Sequence, residues 1–469
     1  MADAETQIVA KMQDAGLPQP AIDMFLTNFR RLLQGDRGLI READIDPVEA
    51  LPRLEAIEET PAAEDLLEQL VIIKLNGGLG ASMGLDRPKS LIPVRENYTF
   101  LDLVALQTLH LRRHTGKPVP GFYLMNSYRT RTASLRLLAK YPELGAPDDL
   151  DFVQNQVPKL QADTLEPIEW PENPELEWCP PGHGDFYPAL LGSGLLDRLL
   201  NRGVLYAFVS NVDNLGAGVD SRILGRMAAR GIDFLMEVAQ RTSVDRKGGH
   251  LARRKGTGRF VLRESAQCPE EESAAFQDIQ RHRYFNTNNL WIRLDRLKEL
   301  LERHGGALAL PLIVNAKPVD PTRPDSPKVY QLETAMGAAI ELFNRAEALV
   351  VPRTRFAPVK TTADLLAVRS DAYELTHDYH LILAPDRSGR PPQVNLDSKH
   401  YKILGQFEAF FPEGSPSLRR CDRFVAEGPL IFRTPLVCEG KEVRFVNPAE
   451  QVRSVGPGVY PGGRYEILS

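Results

Sequence analysis

Cysteine is scarce in this chain. There are four in 469 residues (Cys179, Cys268, Cys421 and Cys438), far apart and with no C-x-x-C pair. That excludes a zinc ribbon or a disulfide framework and fits a reducing, cytoplasmic setting. No apolar run is long enough to span a bilayer, and the opening MADAETQIVAKMQDAG lacks the apolar core of a signal peptide. Neither membrane insertion nor secretion is therefore expected. Positive charge is not in excess: 57 Lys and Arg against 62 Asp and Glu leave a net charge of -5. General nucleic-acid binding would favour a basic face, so a polyanionic ligand here needs a locally basic pocket. Low-complexity segments and strong internal repeats are absent as well.

At this length one core is too small a solution, and two or three domains are expected. Residues 1–70 show amphipathic helical patterns at Ala21–Leu33 and Ala63–Leu70 and no chemistry, reading as a helical cap. Residues 71–385 alternate strand-like runs (Val119–Met125, Val204–Val209, Phe234–Val238, Leu290–Leu294) with helical ones (Leu101–His114, Arg131–Lys140, Ala335–Arg345). That alternation predicts a doubly wound α/β sheet whose ligands bind beyond the carboxyl ends of its strands. Residues 386–469 change to short β pieces separated by Gly and Pro, such as Leu430–Phe432, Pro435–Cys438 and Glu442–Val446, the pattern of a small all-β module.

The most informative segment is Val71–Pro93, VIIKLNGGLGASMGLDRPKSLIP. A buried strand empties into a loop with glycines at 77, 78, 80 and 84 and then reaches Lys89. Backbone N–H groups without neighbouring Cβ atoms approach a phosphate chain closely, and a following helix N-terminus would add positive potential. Lys89 supplies a point charge for the same phosphates. The P-loop needs Gly-Lys-Ser/Thr directly. Here Arg87-Pro88 intervene, which points to nucleotidyl transfer rather than ATP hydrolysis.

Other polar clusters fall where such a sheet would present them. Asp213 follows the run Val204–Val209, and a carboxylate at a strand end suits Mg²⁺ shared with phosphates. The plain alternative is a turn or helix cap. His183 lies between two glycines in PPGHGD, exposing imidazole and backbone donors together to a base or a phosphate. Asn286-Thr287-Asn288-Asn289 precedes a strand, and amides offer both donors and acceptors to sugar hydroxyls. An Asx-rich turn is the bland reading. Lys360, in VKTT at an expected strand end, is a second candidate phosphate contact, with a solvated lysine as the default.

Together these motifs resemble the UTP–glucose-1-phosphate uridylyltransferases (UDP-glucose pyrophosphorylases) of eukaryotes and some bacteria. KLNGGLGASMG, PKSLIPV, TFLDL, LMNSY, FVQ, PPGHGD, FVSNVDNLGA, KGG, FNTNNLW, QLETAMGAAI and PVKTT occur in the family's order between about Ile72 and Leu430. The resemblance implies a Rossmann-like, GT-A-like mixed sheet with a helical N-terminal segment and a small left-handed β-helix at the C-terminus. It places UTP on the backbone of Leu75, Asn76, Gly77 and Gly78, with Lys89 on its phosphates, Gln154 reading uracil and Gly182 adding backbone contacts to the base. Gly77 and Gly78 would also face the sugar phosphate, with His183, Asn211, Asn286, Asn288 and Asn289, and with Glu237 and Lys247 as further neighbours. Asp213 would carry Mg²⁺, and Lys360 would neutralise the α-phosphate.

The implied reaction is attack by a phosphate oxygen of glucose 1-phosphate on the α-phosphorus of UTP, with pyrophosphate leaving. The same fold serves N-acetylhexosamine and broad-specificity UDP-sugar pyrophosphorylases, and a silent nucleotide-sugar binder is the non-enzymatic alternative. Charge retained at Lys89, Asp213 and Lys360 argues against a binder. The sequence departs from the family before Pro88, where Gly84-Leu85-Asp86-Arg87 replaces a Cys-Lys-Gly stretch. It departs again in the tail, whose brevity bears on the homo-oligomer expected through the C-terminal domain.

Overall fold

The computed structural model describes residues 2–59, 64–80, 83–242 and 245–468. Its centre is a mixed sheet. Strands Asp151–Val153, Gly121–Asn126, Leu70–Asn76 and Tyr206–Asn211 lie side by side and parallel, in that order. The long strand Tyr284–Arg293 then runs antiparallel to Tyr206–Asn211, and beyond it Phe234–Gln240 and Ala346–Val350 resume the first direction. All six co-directional strands therefore end on one edge of the sheet, and the N-terminal half of Tyr284–Arg293 starts there.

The strands are apolar because both faces of the sheet are covered. On Leu70–Asn76, Ile72 points into a core beneath helices Phe100–Thr115 and Thr362–Arg369, and Val71 and Ile73 point into a second core. That second core is closed by helices Phe186–Gly192, Leu195–Asn201 and Leu294–Arg303. Phe208 and Trp291 meet in the first core at 4.6 Å between ring centroids. Each fully buried side chain of this size contributes about 1.5–3 kcal/mol. The TFLDL motif has a local role: Thr99 and Asp102 form a capping box that starts helix Phe100–Thr115, and Tyr141 Oη donates to Asp102 Oδ1 at 2.7 Å.

The N-terminal segment has two helices, Ala2–Asp14 and Gln19–Leu33. They share a small core with strands Leu312–Pro318 and Lys328–Thr334. Three helical expectations are corrected. Asp65–Gln69 is a 3₁₀ turn leading straight into a strand, and Ala63 lies outside the described residues. The pattern at Ala335–Arg345 becomes a 3₁₀ segment, Met336–Glu341, because Gly337 is pressed against the sheet: a Cβ there would stand 2.8 Å from Asn286 Nδ2. Lys89 opens a 3₁₀ turn, Lys89–Leu91, so no helix N-terminus follows the glycine loop directly.

The tail is built of short parallel strands. Gln393–Leu396, Arg423–Glu427, Val443–Val446 and Gly463–Glu466 form one sheet. Ser417–Cys421, Leu436–Gly440 and Gly458–Tyr460 form a second, and Leu430–Phe432 pairs with Arg453–Val455 in a third. Phe424, Phe432 and Phe445 fill the space between them, and this core is continuous with that of the central sheet. The four cysteines are free. No helix among the described residues is long and apolar enough to cross a membrane.

Candidate active site

The glycine loop is closed by its own backbone. Gly80 N donates to Arg87 O and Lys89 N donates to Gly78 O at 3.3 Å, with a bridge between Leu79 and Pro88. Lys89 is thus returned to the strand end it left thirteen residues earlier at Asn76. The carboxyl edge supplies the loop's footing: Asn76 Nδ2 donates to Asn126 Oδ1 at 2.7 Å and to Ser134 Oγ at 2.8 Å, and Ser127 Oγ donates to Gly77 O. Asn76 is buried and acts as a brace. Leu75 Oʹ, its main-chain carbonyl, accepts from Val212 N at 3.1 Å. Gly78 is exposed, and nothing lies within 4 Å of a Cβ placed on it, so its backbone faces open space. A Cβ on Gly77 would stand 2.2 Å from Gln154 Oε1, which puts the Gln154 amide directly over the loop.

Across the edge, Lys89 Nζ pairs with Asp213 Oδ2 at 2.5 Å. Asp213 O accepts from Val359 N at 3.3 Å, which places Lys360 in the same neighbourhood. Lys360 is not at a strand end: strand Ala346–Val350 stops ten residues before it. It stands just ahead of helix Thr362–Arg369, whose Asp364 accepts from Lys360 N at 2.9 Å and fixes that backbone. Its amine is exposed and has no ion-pair partner among the described residues.

PPGHGD owes its glycines to packing. Gly182 has φ +78°, and a Cβ there would come within 2.5 Å of Thr334 O; one on Gly184 would meet Thr334 Oγ1 at 2.2 Å. His183 Nδ1 accepts from Met336 N at 2.9 Å, which assigns the ring proton to Nε2 and makes that atom a donor facing outward. The surrounding protein, and then the charge of Lys360, push the imidazolium pKa down, so the ring is neutral. The following Asp185 is buried and accepts from Asn155 N at 2.6 Å and Asn155 Nδ2 at 2.9 Å. Burial raises its pKa to about 7.

The four residues Asn286–Asn289 do not act alike. Strand alternation leaves 286 and 288 open and buries 287 and 289. A bulge opposite Glu237 puts Asn288 at φ +61°. Asn288 Nδ2 donates to Asn211 Oδ1 at 3.0 Å, and Asn288 Oδ1 is buried with no partner, a free acceptor. Asn286 Oδ1 accepts from Asn288 N at 2.9 Å.

Asn289 corrects the expectation of a sugar contact. It is fully buried; its Nδ2 donates to Glu237 Oε2 and Arg355 O, and its Oδ1 accepts from Asn214. Glu237 is corrected likewise: fully buried, its carboxylate accepts from Arg355, Asn289 and Trp291 and offers nothing to the surface. Lys247 is exposed on the turn that leads to Gly249; Ser243 and Val244, earlier in that turn's approach, lie outside the described residues.

Two residues escaped the sequence reading. Glu264 has no motif, yet its Oε2 would lie 2.4 Å from a Cβ on Gly249, and burial raises its pKa against the opposing charge of Lys360. Its carboxylate lies within electrostatic range of Lys360. Arg355, five residues before Lys360, is the cation that neutralises Glu237. Neither is visible as a pattern, because each partner is remote in sequence.

The arrangement offers backbone donors, two lysines, a neutral histidine donor and open amides around Asp213, with the Glu264 carboxylate near Lys360. Among the described residues there is no group of three or more His, Cys, Asp or Glu able to cage a metal. That donor set suits handling of two phosphate-bearing ligands by charge and positioning, without a nucleophile triad.

The model of the UTP–glucose-1-phosphate uridylyltransferase family matches residues 22–438. An enzyme of that name from Solanum tuberosum is 39% identical over 454 residues, covering 94% of this chain and 92% of its own. One from Saccharomyces cerevisiae is 39% identical, with 98% and 92% covered. Among solved structures, a mutant UDP-glucose pyrophosphorylase from Leishmania major in complex with UDP-glucose superposes with a TM-score of 0.93 at 46% identity, 99% of each chain being covered.

Proposed function

The chain belongs to the UTP–glucose-1-phosphate uridylyltransferase family, and on that premise we propose how its residues make UDP-glucose and pyrophosphate from UTP and glucose 1-phosphate. One observation carries the reading: the Lys89–Asp213 pair and the Val359–Asp213 backbone bond gather Lys89, Asp213 and Lys360 beside the open backbone of Gly78.

UTP lies on the glycine loop, with Gln154 and Gly182 on its base and Lys89 on its phosphates. Glucose 1-phosphate enters from the side of Asn286 and Asn288. Asn288 Oδ1 and the Glu264 carboxylate accept from sugar hydroxyls, and His183 Nε2–H and Asn211 add donors and acceptors. A phosphate oxygen of the sugar forms the new bond to the α-phosphorus as the bridge to the β-phosphate breaks, and pyrophosphate carries away that electron pair. The attacking oxygen is already anionic, so no general base is needed. What must be overcome is repulsion: two unit charges 4 Å apart cost about 4 kcal/mol at an effective dielectric near 20. Lys89 and Lys360 supply the opposing charge, Lys360 at the phosphoryl group under attack.

Asp213 fits a magnesium ion in the way that ion is usually bound, through one or two carboxylates with phosphates and water filling the rest. When bound, Mg²⁺ shields phosphate charge; the chain's own part is to present Asp213, released from Lys89 as that amine turns to UTP.

Three further readings complete the proposal. From Leu430 onward the chain visits its three parallel sheets in a fixed rotation, the path of a β-helix. Val459, in strand Gly458–Tyr460, and Leu468, beyond the last strand Gly463–Glu466, are exposed, a surface for self-association that sizing chromatography would test. Four unpaired thiols suit the cytoplasm.

The function is tested by pyrophosphate release from UTP with a panel of sugar 1-phosphates. Release with glucose 1-phosphate is expected. Preference for an acetylated sugar would overturn the glucose assignment, and no release with any sugar would indicate a binder.

A further inference from the structure

The loops that carry the site rest on charges that never reach it. Arg355 Nε donates to Glu237 Oε2 at 2.8 Å and Arg355 Nη2 to Glu237 Oε1 at 2.6 Å. The same Nη2 reaches Gly218 O at 2.8 Å. Arg355 O accepts from Asn214 Nδ2 at 3.2 Å and from Asn289 Nδ2 at 3.3 Å. Asn214 Oδ1 in turn accepts from Ala357 N at 2.9 Å, and a Cβ on Gly216 would strike Thr354 O at 2.2 Å. From the opposite side, the buried Lys74 amine donates to Ser210 Oγ at 2.7 Å and Ala217 O at 3.0 Å.

Three segments therefore meet at the Arg355–Glu237 pair: the guanidinium holds Gly218 O, the Glu237 carboxylate holds Asn289, and the main-chain carbonyl of Arg355 holds Asn214 and Asn289. Residues 210–220 carry Asn211 and Asp213, residues 354–360 carry Lys360, and residues 286–289 carry Asn286 and Asn288. Stability alone does not account for a buried ion pair at this junction, since well-packed apolar side chains of similar size do as well or better. What a guanidinium adds is a planar fork of donors with fixed directions, which an ammonium or an alkyl chain lacks.

We propose that the Arg355–Glu237 pair is a positioning device for the transfer reaction, fixing Asp213, Lys360 and Asn288 relative to one another while touching no substrate. This rests on the function given above. If the unaltered enzyme released no pyrophosphate, that reading would fail; the present inference is judged only on variants of an active enzyme.

The test compares Arg355→Lys, Glu237→Gln and the double variant Arg355→Met/Glu237→Leu by thermal melting and steady-state kinetics. For the single variants kcat is expected to fall on the order of a hundredfold, as misplacement by about 1 Å does, with KM for either substrate within about threefold. The double variant carries no unpaired charge from the pair but leaves Trp291 Nε1 and Asn289 Nδ2 without their carboxylate acceptor, so it is expected to regain part of the melting temperature lost by the single variants without regaining kcat. Recovery of both together would overturn the proposal. So would losses of kcat that simply track the folded fraction, or failure of all three variants to fold, since the pair would then serve the fold alone.

Discussion

Lys89 Nζ lies 2.5 Å from Asp213 Oδ2, with side chains 15% and 16% exposed, across 124 residues of sequence. The pair links the end of the glycine loop to the loop after strand Tyr206–Asn211, the two elements between which a triphosphate would sit. Under the proposed function each partner would keep the other compensated until phosphates and a cation took their places, so the two positions should respond differently to substitution.

Asp213→Asn is expected to raise the Mg²⁺ concentration needed for half-maximal rate by tenfold or more, because the proposed ion would lose its carboxylate ligand. Lys89→Met should instead weaken UTP binding by about 1.5–3 kcal/mol, the worth of a charge-assisted bond. Metal titrations of rate and equilibrium UTP binding, read on both variants, separate the roles. An unchanged metal titration for Asp213→Asn would count against coordination.

Gly78 and Gly182 should separate phosphate contact from packing. With nothing within 4 Å of its Cβ position, Gly78→Ala keeps its melting temperature and loses UTP affinity. Gly182→Ala, at φ +78° and 2.5 Å from Thr334 O, is destabilised by about 1–3 kcal/mol. Calorimetric melting beside UTP titration checks both.

Asn288 holds a left-handed conformation that glycine tolerates and a β-branched residue does not. Asn288→Gly is expected to fold normally while KM for glucose 1-phosphate rises about tenfold, for loss of about one hydrogen bond to the sugar. Asn288→Val should distort the bulge and lower the melting temperature. Equal KM values in Asn288→Gly and the parent enzyme would remove Asn288 from the sugar site.

Acid sensitivity is built in away from the site. His250 and His282 stack at 3.7 Å; both His250 nitrogens are buried without partners, and His282 Nε2 faces Glu42, with Arg241, Arg263 and Arg281 nearby. Burial lowers the pKa of both rings. Below about 6.5, the ordinary histidine value, the unfolded chain binds protons that the fold refuses, so stability is present above that pH and is lost as pH falls. The slope has a ceiling of about 1.4 kcal/mol per pH unit for each ring. Denaturant unfolding between pH 7 and pH 5 should show this decline, and His250→Phe should flatten it.

Much of the candidate site's layout was legible because its residues cluster in loops at strand ends, where sequence neighbours stay neighbours in space. The glycine loop, Lys89, His183 between its glycines, and Asp213 were all readable in this way. What the sequence hid was direction and remote pairing. Asn286, Asn288 and Asn289 looked like three equal amides, but strand alternation and a bulge leave Asn288 half-exposed and spend Asn289 on Glu237 and Arg355. Glu237 and Arg355 are 118 residues apart, and no local pattern announces their bond. The helix expected over Ala335–Arg345 satisfied periodicity but not the contact that Gly337 must make with the sheet.

The most direct measurement is single-turnover transfer by Lys360→Ala, paired with UTP binding to the same variant. The expected result is a transfer step slowed by about 10²–10³, the usual effect of removing one preorganised stabilising group, with UTP affinity changed less than threefold. An undiminished transfer step accompanied only by weaker UTP binding would contradict the placement of Lys360 at the phosphoryl group under attack.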